Sequence, residues 1–196
     1  TGKDVTNVGG YNLLEPLAKY NEVLKQGING PIWALIAYDT KRYEIPKIAD
    51  TSNQNSRERM IENILSREIV TPEGVRGGWA LMGNRPDPDI TAMALYSLWP
   101  YYNSNPKVKE ASDRAVQALS DIQLSTGGYT TFWDENSESS AQVIIALTTM
   151  GIDPDKDHRF IKYDESGTGH SVLDAFMTYQ VASGGFKHIH SETSPN

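Results

Sequence analysis

Two similar acidic segments carry the side chains of this sequence that are best suited to chemistry. They occupy residues 87–92 and 136–141, and their polar residues match at three positions when the segments are aligned 49 residues apart. The matched pairs are Asp87 with Asn136, Asp89 with Glu138, and Thr91 with Ser140. Side chains of these types accept hydrogen bonds from the free N–H groups at a helix start. The segments therefore predict helix N-caps, expected at Asp89 and at Ser137 or Ser139, or a polar ring around a ligand site, and the two roles are compatible.

A longer internal repeat contains both segments. A glycine pair followed by an aromatic residue recurs at intervals of 50 and 57 residues, as Gly77-Gly78-Trp79, Gly127-Gly128-Tyr129 and Gly184-Gly185-Phe186. Around these triplets, one-sided apolar patterns alternate with patterns that are apolar nearly all round, which predicts outer helices packed on buried inner ones. The outer helices are predicted at 11–26, 58–69, 112–123 and 172–180, and the inner helices at 31–38, 91–101 and 139–150. If the inner helices are parallel, their starts and both acidic segments lie together at one end of the helical assembly, which we call the mouth.

Aromatic and histidine residues are the other candidates for a site. Phe132 and Trp133 lie between the second triplet and the second acidic segment, so Trp133 is predicted to reach the mouth. His188 and His190 have the spacing of a candidate metal pair, since imidazole suits zinc. They lie near the C-terminus, where order is often poor. We therefore interpret them as a loose surface pair and predict no metal site. The triplet aromatic residues are expected to lock the hairpins together.

Composition narrows the classes of partner. The formal net charge is -7 and no Lys/Arg cluster offsets it, so a nucleic-acid partner is not expected. Cysteine is absent, which excludes thiol catalysis and cysteine-ligated zinc. Apolar stretches such as residues 143–147 are far shorter than the roughly 20 residues that a membrane-spanning helix needs, so membrane insertion is not expected.

The loop starts carry a resemblance to a known family. Gln123-x-x-x-Gly127-x-Tyr129 and Gln180-x-x-x-Gly184-x-Phe186 resemble the glutamine–aromatic repeat of squalene cyclases, whereas Trp79 follows a longer loop without the glutamine. The chain resembles the α/α toroids of the terpenoid cyclase and protein prenyltransferase superfamily. Its acidic segments are most similar to those of bacterial surface proteins with prenyltransferase-like or squalene-oxidase-like repeats, and its architecture is similar to that of the transcobalamin and intrinsic factor carriers. The resemblance implies an all-α, partial toroid of about three and a half hairpins at 11–188, between an N-terminal extension at 1–10 and a tail at 189–196.

The resemblance also implies what the mouth could do. Class II cyclases protonate their substrate with an Asp-x-Asp-Asp motif, and Ile90 replaces its last acid here, so catalysis with Asp89 as general acid is the alternative hypothesis. The first hypothesis is a non-catalytic binding module of an extracellular bacterial surface protein, without a metal or resident cofactor. A bulky small molecule such as a corrinoid would bind at the residues gathered at the mouth, which are Asp87, Asp89, Thr91, Trp133, Asn136, Glu138 and Ser140. The third hypothesis is a structural repeat that associates with itself or with another chain to complete the arc.

Overall fold

The computed structural model describes residues 4–131 and 133–195. These residues contain seven α-helices, four 3-10 helices and four strands of two residues each, in agreement with the expected all-α class. The chain divides into two compact units, Thr1–Arg67 (unit 1) and Glu68–Asn196 (unit 2). Within the described part of the chain, no helix is both long enough and apolar enough to cross a membrane.

Unit 1 packs three α-helices around a small apolar core. The helices are α1 (Tyr20–Leu24), α2 (Asn29–Asp39) and α3 (Arg57–Ser66), and 3-10 helices occur at Pro16–Ala18 and Thr51–Asn53. The fully buried Ile32 and Leu35 of α2 lie in the core with Met60 and Ile64 of α3. The single long helix predicted at 11–26 is wrong: only the first 3-10 helix and α1 form there. The break falls at Lys19, whose extended backbone forms an isolated β-bridge with Gln54, so regular helix begins only at Tyr20.

Unit 2 contains the other four α-helices and all four strands. The helices are α4 (Pro88–Leu98), α5 (Pro106–Ile122), α6 (Ser137–Thr149) and α7 (Val172–Met177). The strands form two antiparallel pairs, β1 (Thr130–Thr131) with β2 (Asp134–Glu135), and β3 (Lys162–Tyr163) with β4 (Gly169–His170). Helix α4 packs against α5 and α6, and α6 also packs against α7. Helix α5 begins six residues before its predicted start, because Asn105 caps it and Pro106 suits the first helical position.

The sequence repeat is also a repeat of backbone hydrogen bonds. The amide of Leu124 donates to the carbonyl of Gly128 at 3.0 Å, and the amide of Gly127 returns to the carbonyl of Leu124 at 2.9 Å. The equivalent bonds 57 residues later, at 3.1 and 2.9 Å, join Val181 to Gly185 and Gly184 to Val181. Gly127 has φ +86°, and a Cβ atom there would collide with the backbone carbonyl of Ser171. Only glycine fits this turn, for conformational and steric reasons.

The aromatic residue after each glycine pair anchors its loop. Trp79 and Tyr129 are fully buried, as expected. Their carbonyls accept hydrogen bonds from Asp87 (2.9 Å) and Asn136 (3.2 Å), the residues that start the two inner helices of unit 2. Phe186 is partly exposed and stacks on Phe176 with 4.3 Å between ring centroids. Each buried ring therefore ties a glycine turn to the helix start that follows.

A buried polar residue precedes each of the first two loops. The Gln123 amide donates to the carbonyls of Gly127 at 2.8 Å and Phe160 at 3.0 Å. The equivalent position in the longer first loop holds Glu68, whose side chain is only 2% exposed. Its carboxylate accepts two hydrogen bonds from Arg114, at 2.7 and 2.9 Å. Gln123 and Glu68 have the same structural role, because each connects the start of its own loop to a neighbouring segment of unit 2.

Candidate functional site

The N-caps of α4 and α6 are Asp87 and Asn136. Asp87 accepts a hydrogen bond from the amide of Ile90 at 2.9 Å, and Asn136 accepts one from the amide of Ser139 at 2.8 Å. The expected caps at Asp89 and at Ser137 or Ser139 are therefore wrong, because those residues already lie inside the helices. Pro88 at the first helical position fixes the start of α4, which leaves the preceding aspartate as its cap. Burial is the main cause that raises the pKa of the Asp87 carboxyl above its usual range.

Thr91 and Ser140 are core residues. Both are fully buried. The Thr91 hydroxyl donates to the carbonyl of Trp79 and accepts from its amide, both at 2.9 Å. The Ser140 hydroxyl donates to the carbonyl of Asn136 at 3.4 Å. Together with the partly exposed Asp87, they hold the helix starts, and none of these three predicted site residues lines the groove described next.

The remaining four predicted site residues line one groove at the starts of α4 and α6. We call it the acidic groove; its volume is about 480 Å³. Its lining residues are Asp89, Thr131, Trp133, Asp134, Asn136, Glu138 and His188. Three of these side chains are carboxylates, and no lysine or arginine is among them. The groove thus presents hydrogen-bond acceptors and negative charge to an incoming ligand.

Asp89 sits in a short hydroxyl network on one wall. The Thr131 hydroxyl lies 3.1 Å from Asp89 Oδ2 and 2.8 Å from the Ser139 hydroxyl. The other carboxylate oxygen, Asp89 Oδ1, is buried and accepts no hydrogen bond from the described residues. A buried acceptor without a partner costs free energy relative to one that is satisfied. Asp89 therefore has one oxygen fixed by Thr131 and one buried oxygen whose capacity to accept a hydrogen bond is unsatisfied.

Glu138 lines the groove together with a residue from the C-terminal segment. Its Oε2 lies 2.7 Å from Nδ1 of His188, and the pKa of this histidine is raised because of the hydrogen bond to Glu138. The His188 carbonyl also accepts a hydrogen bond from the amide of Ser137 at 3.0 Å, and Ile189 bridges Asn136. These contacts hold the C-terminal segment across the start of α6.

The interpretation of His188 and His190 as a loose pair is wrong. His188 pairs with Glu138, while the ring of His190 stacks on Tyr179 at 4.2 Å. The two rings contact different partners, so they do not act as a pair. Across residues 4–131 and 133–195, no group of three or more acidic, histidine or cysteine side chains is placed to hold a metal ion.

Trp133 lies in the turn between β1 and β2 and is 92% exposed. Its predicted neighbour at the mouth, Phe132, lies outside the described residues. The pairing of Thr131 with Asp134 fixes the ends of this turn beside the groove. Sequence reasoning missed Thr131, Asp134 and His188 as lining residues. The first two flank Trp133 and could have been found by their proximity, whereas only the fold brings His188 to Glu138.

Comparison of the chain with family models, with curated proteins and with solved structures finds no match.

Proposed function

We propose that this chain is a non-catalytic ligand-binding module, built as part of an α/α toroid, and that the acidic groove is its binding site. The observation that most supports this proposal concerns Asp89, a lining residue of the groove. Its Oδ1 is a buried carboxylate oxygen that accepts no hydrogen bond from the described residues. A ligand donor at this oxygen would satisfy it. Across the groove, Trp133 offers an exposed ring for apolar contact.

The lining chemistry defines the class of ligand. Three carboxylates, with no lysine or arginine among the described lining residues, favour a ligand that brings N–H donors or positive charge. A volume of about 480 Å³ falls within the range of roughly 300–1,000 Å³ that small-molecule sites occupy. A whole corrinoid is larger than this groove, so it would enter by one edge, with its amide side chains as donors. Cobalamin remains the first probe because of the family resemblance.

Solvent access supports binding rather than proton-transfer catalysis. An acid that protonates an alkene must work in a site shielded from water. The Glu138 side chain is 46% exposed and Trp133 is 92% exposed, so the groove is open to solvent at these residues. By the same resemblance, the proposal places the module at a bacterial cell surface, where another chain or a second copy would complete the helical arc.

The test compares two aspartates that differ in their access to the groove. Asp89→Asn removes the available carboxylate, whereas Asp87→Asn removes an equal charge off the groove and keeps a good N-cap. Isothermal titration would use cobalamin and, separately, spermidine as a compact cationic probe. Loss of one charge-assisted hydrogen bond of about 1.5–3 kcal/mol weakens binding roughly 10- to 100-fold. The expected result is that loss for Asp89→Asn alone.

Two outcomes would contradict the proposal. One is that neither probe binds the unmodified chain or shifts the amide resonances of the groove residues. The other is that Asp87→Asn weakens binding as much as Asp89→Asn, which would mean that general surface charge holds the ligand. Trp133→Ala adds a third readout, because a ligand seated in the groove should also lose affinity when this ring is removed.

A further inference from the structure

A second groove, in unit 1, has a different chemistry. It lies among the 3-10 helix at Pro16–Ala18, α1 and α2, and its volume is about 690 Å³. Leu17, Val23 and Ala34 give it apolar walls, and the indole of Trp33 is 50% exposed along it. We call it the Trp33 groove. It shares no residue with the acidic groove, so it is independent of the function proposed above.

A close backbone approach shapes the groove. Gly30, in the first turn of α2, lies against α1, and a Cβ atom there would collide with the backbone carbonyl of Val23. Only a residue without a side chain allows this approach. Because Val23 and Gly30 both line the groove, the contact between the two helices sets its form.

The polar lining residues of the Trp33 groove are two amides, Asn29 and Gln26, and one carboxylate, Glu22. Asn29 Oδ1 is buried and accepts no hydrogen bond from the described residues. The exposed Gln26 adds an amide to the lining, which can both donate and accept. The carboxylate of Glu22 is paired with Lys25 at 2.7 Å, which balances the local charge.

We infer that the Trp33 groove binds a neutral saccharide. The face of an indole ring is electron-rich and attracts the slightly positive C–H groups on the apolar face of a sugar ring. A sugar hydroxyl then donates to Asn29 Oδ1, and Gln26 can meet a neighbouring hydroxyl in either role. A purely apolar ligand would leave the buried Asn29 oxygen unsatisfied. A cationic ligand would have to compete with Lys25 for Glu22.

The experiment uses the full chain and four variants. A glycan array identifies the bound sugar, and titration with the best disaccharide gives its affinity. Trp33→Ala should weaken binding at least 10-fold, while Trp133→Ala, which removes the exposed tryptophan of the other groove, should leave it unchanged. Asn29→Leu should weaken binding about 10-fold, yet its thermal midpoint should be unchanged or higher because a buried unsatisfied oxygen is removed.

Several results would overturn the inference. If no glycan on the array binds, or if binding falls with Trp133→Ala and not with Trp33→Ala, the Trp33 groove is not a saccharide site. Tighter binding by Asn29→Leu would show an apolar ligand instead. Displacement of the bound sugar by millimolar choline would show a site for cations. Trp33→Phe, which keeps an aromatic face, should retain part of the affinity, and a complete loss would argue against stacking.

Discussion

The ion pair between Glu68 and Arg114 should be strongly asymmetric in its effect on stability. The Glu68 side chain is 2% exposed, whereas that of Arg114 is 34% exposed. Arg114→Met would leave a buried carboxylate that, among the described residues, has only Arg76, at 3.3 Å and 53% exposed, to compensate its charge. Loss of one partner from a buried pair costs about 3–5 kcal/mol, and the remaining arginine places this case near the lower end. Glu68→Gln should cost less, about 1–2 kcal/mol, because the freed guanidinium can be rehydrated.

Urea unfolding followed by circular dichroism would measure both free energies of unfolding. The double variant should cost less than the sum of the two single changes, since a neutral glutamine no longer needs the arginine. Lys109→Met is the matched control, because its pair with Asp113 is about half exposed on both sides and should leave stability nearly unchanged. A cost below about 1 kcal/mol for Arg114→Met, or a larger cost for Glu68→Gln, would refute the assignment of Glu68 as the desolvated partner.

Two further predictions concern the second and third repeats. Tyr129→Phe removes a buried hydrogen bond of 3.0 Å to the carbonyl of Leu119 and should lower the free energy of unfolding by about 1 kcal/mol in the same urea assay; no change would mean that this carbonyl is satisfied in another way. The pKa of His188 is raised by Glu138, so the pair's contribution to stability is complete below the ordinary histidine pKa of about 6.5 and is lost as pH rises through the folded-state pKa. An NMR titration should show this pKa falling towards its ordinary value in Glu138→Gln, and an unchanged value would disprove the pairing.

Most of the helices could be predicted from helical periodicity, because burial of a helix face places apolar residues at that spacing. The inner helices α4 and α6 each begin within three residues of their predicted starts, since their apolar residues pack on several sides. The prediction failed at 11–26, where apolar residues occur at helical spacing but Lys19 is extended between the 3-10 helix and α1. It also extended the last outer helix to 180, whereas α7 ends at Met177. Periodicity reports which face is buried, and it does not report where backbone hydrogen bonding stops.

The sequence predicted which polar residues lie near the site, but it did not predict which of them line the groove and which are buried in the core. Matching the two acidic segments found Asp89 and Glu138, which do line one groove. The same match could not separate them from Thr91 and Ser140, since a hydroxyl bonded to backbone and a hydroxyl facing a ligand look alike in sequence. Contacts between distant segments, such as that of His188 with Glu138, leave no local pattern at all.

The third repeat makes the surroundings of the two matched acidic residues, Asp89 and Glu138, different. After Trp79 and Tyr129 the chain enters an inner helix, but after Phe186 it runs across the start of α6 and brings His188 to Glu138. Both matched carboxylates are bonded through one oxygen, that of Glu138 by His188 and that of Asp89 by Thr131, but Asp89 also keeps a buried oxygen that accepts no hydrogen bond from the described residues. A purely structural role for the repeat would be served by satisfying both acids. The asymmetry supports the proposal that Asp89 would meet a ligand, whereas Glu138 holds the C-terminal segment beside the groove.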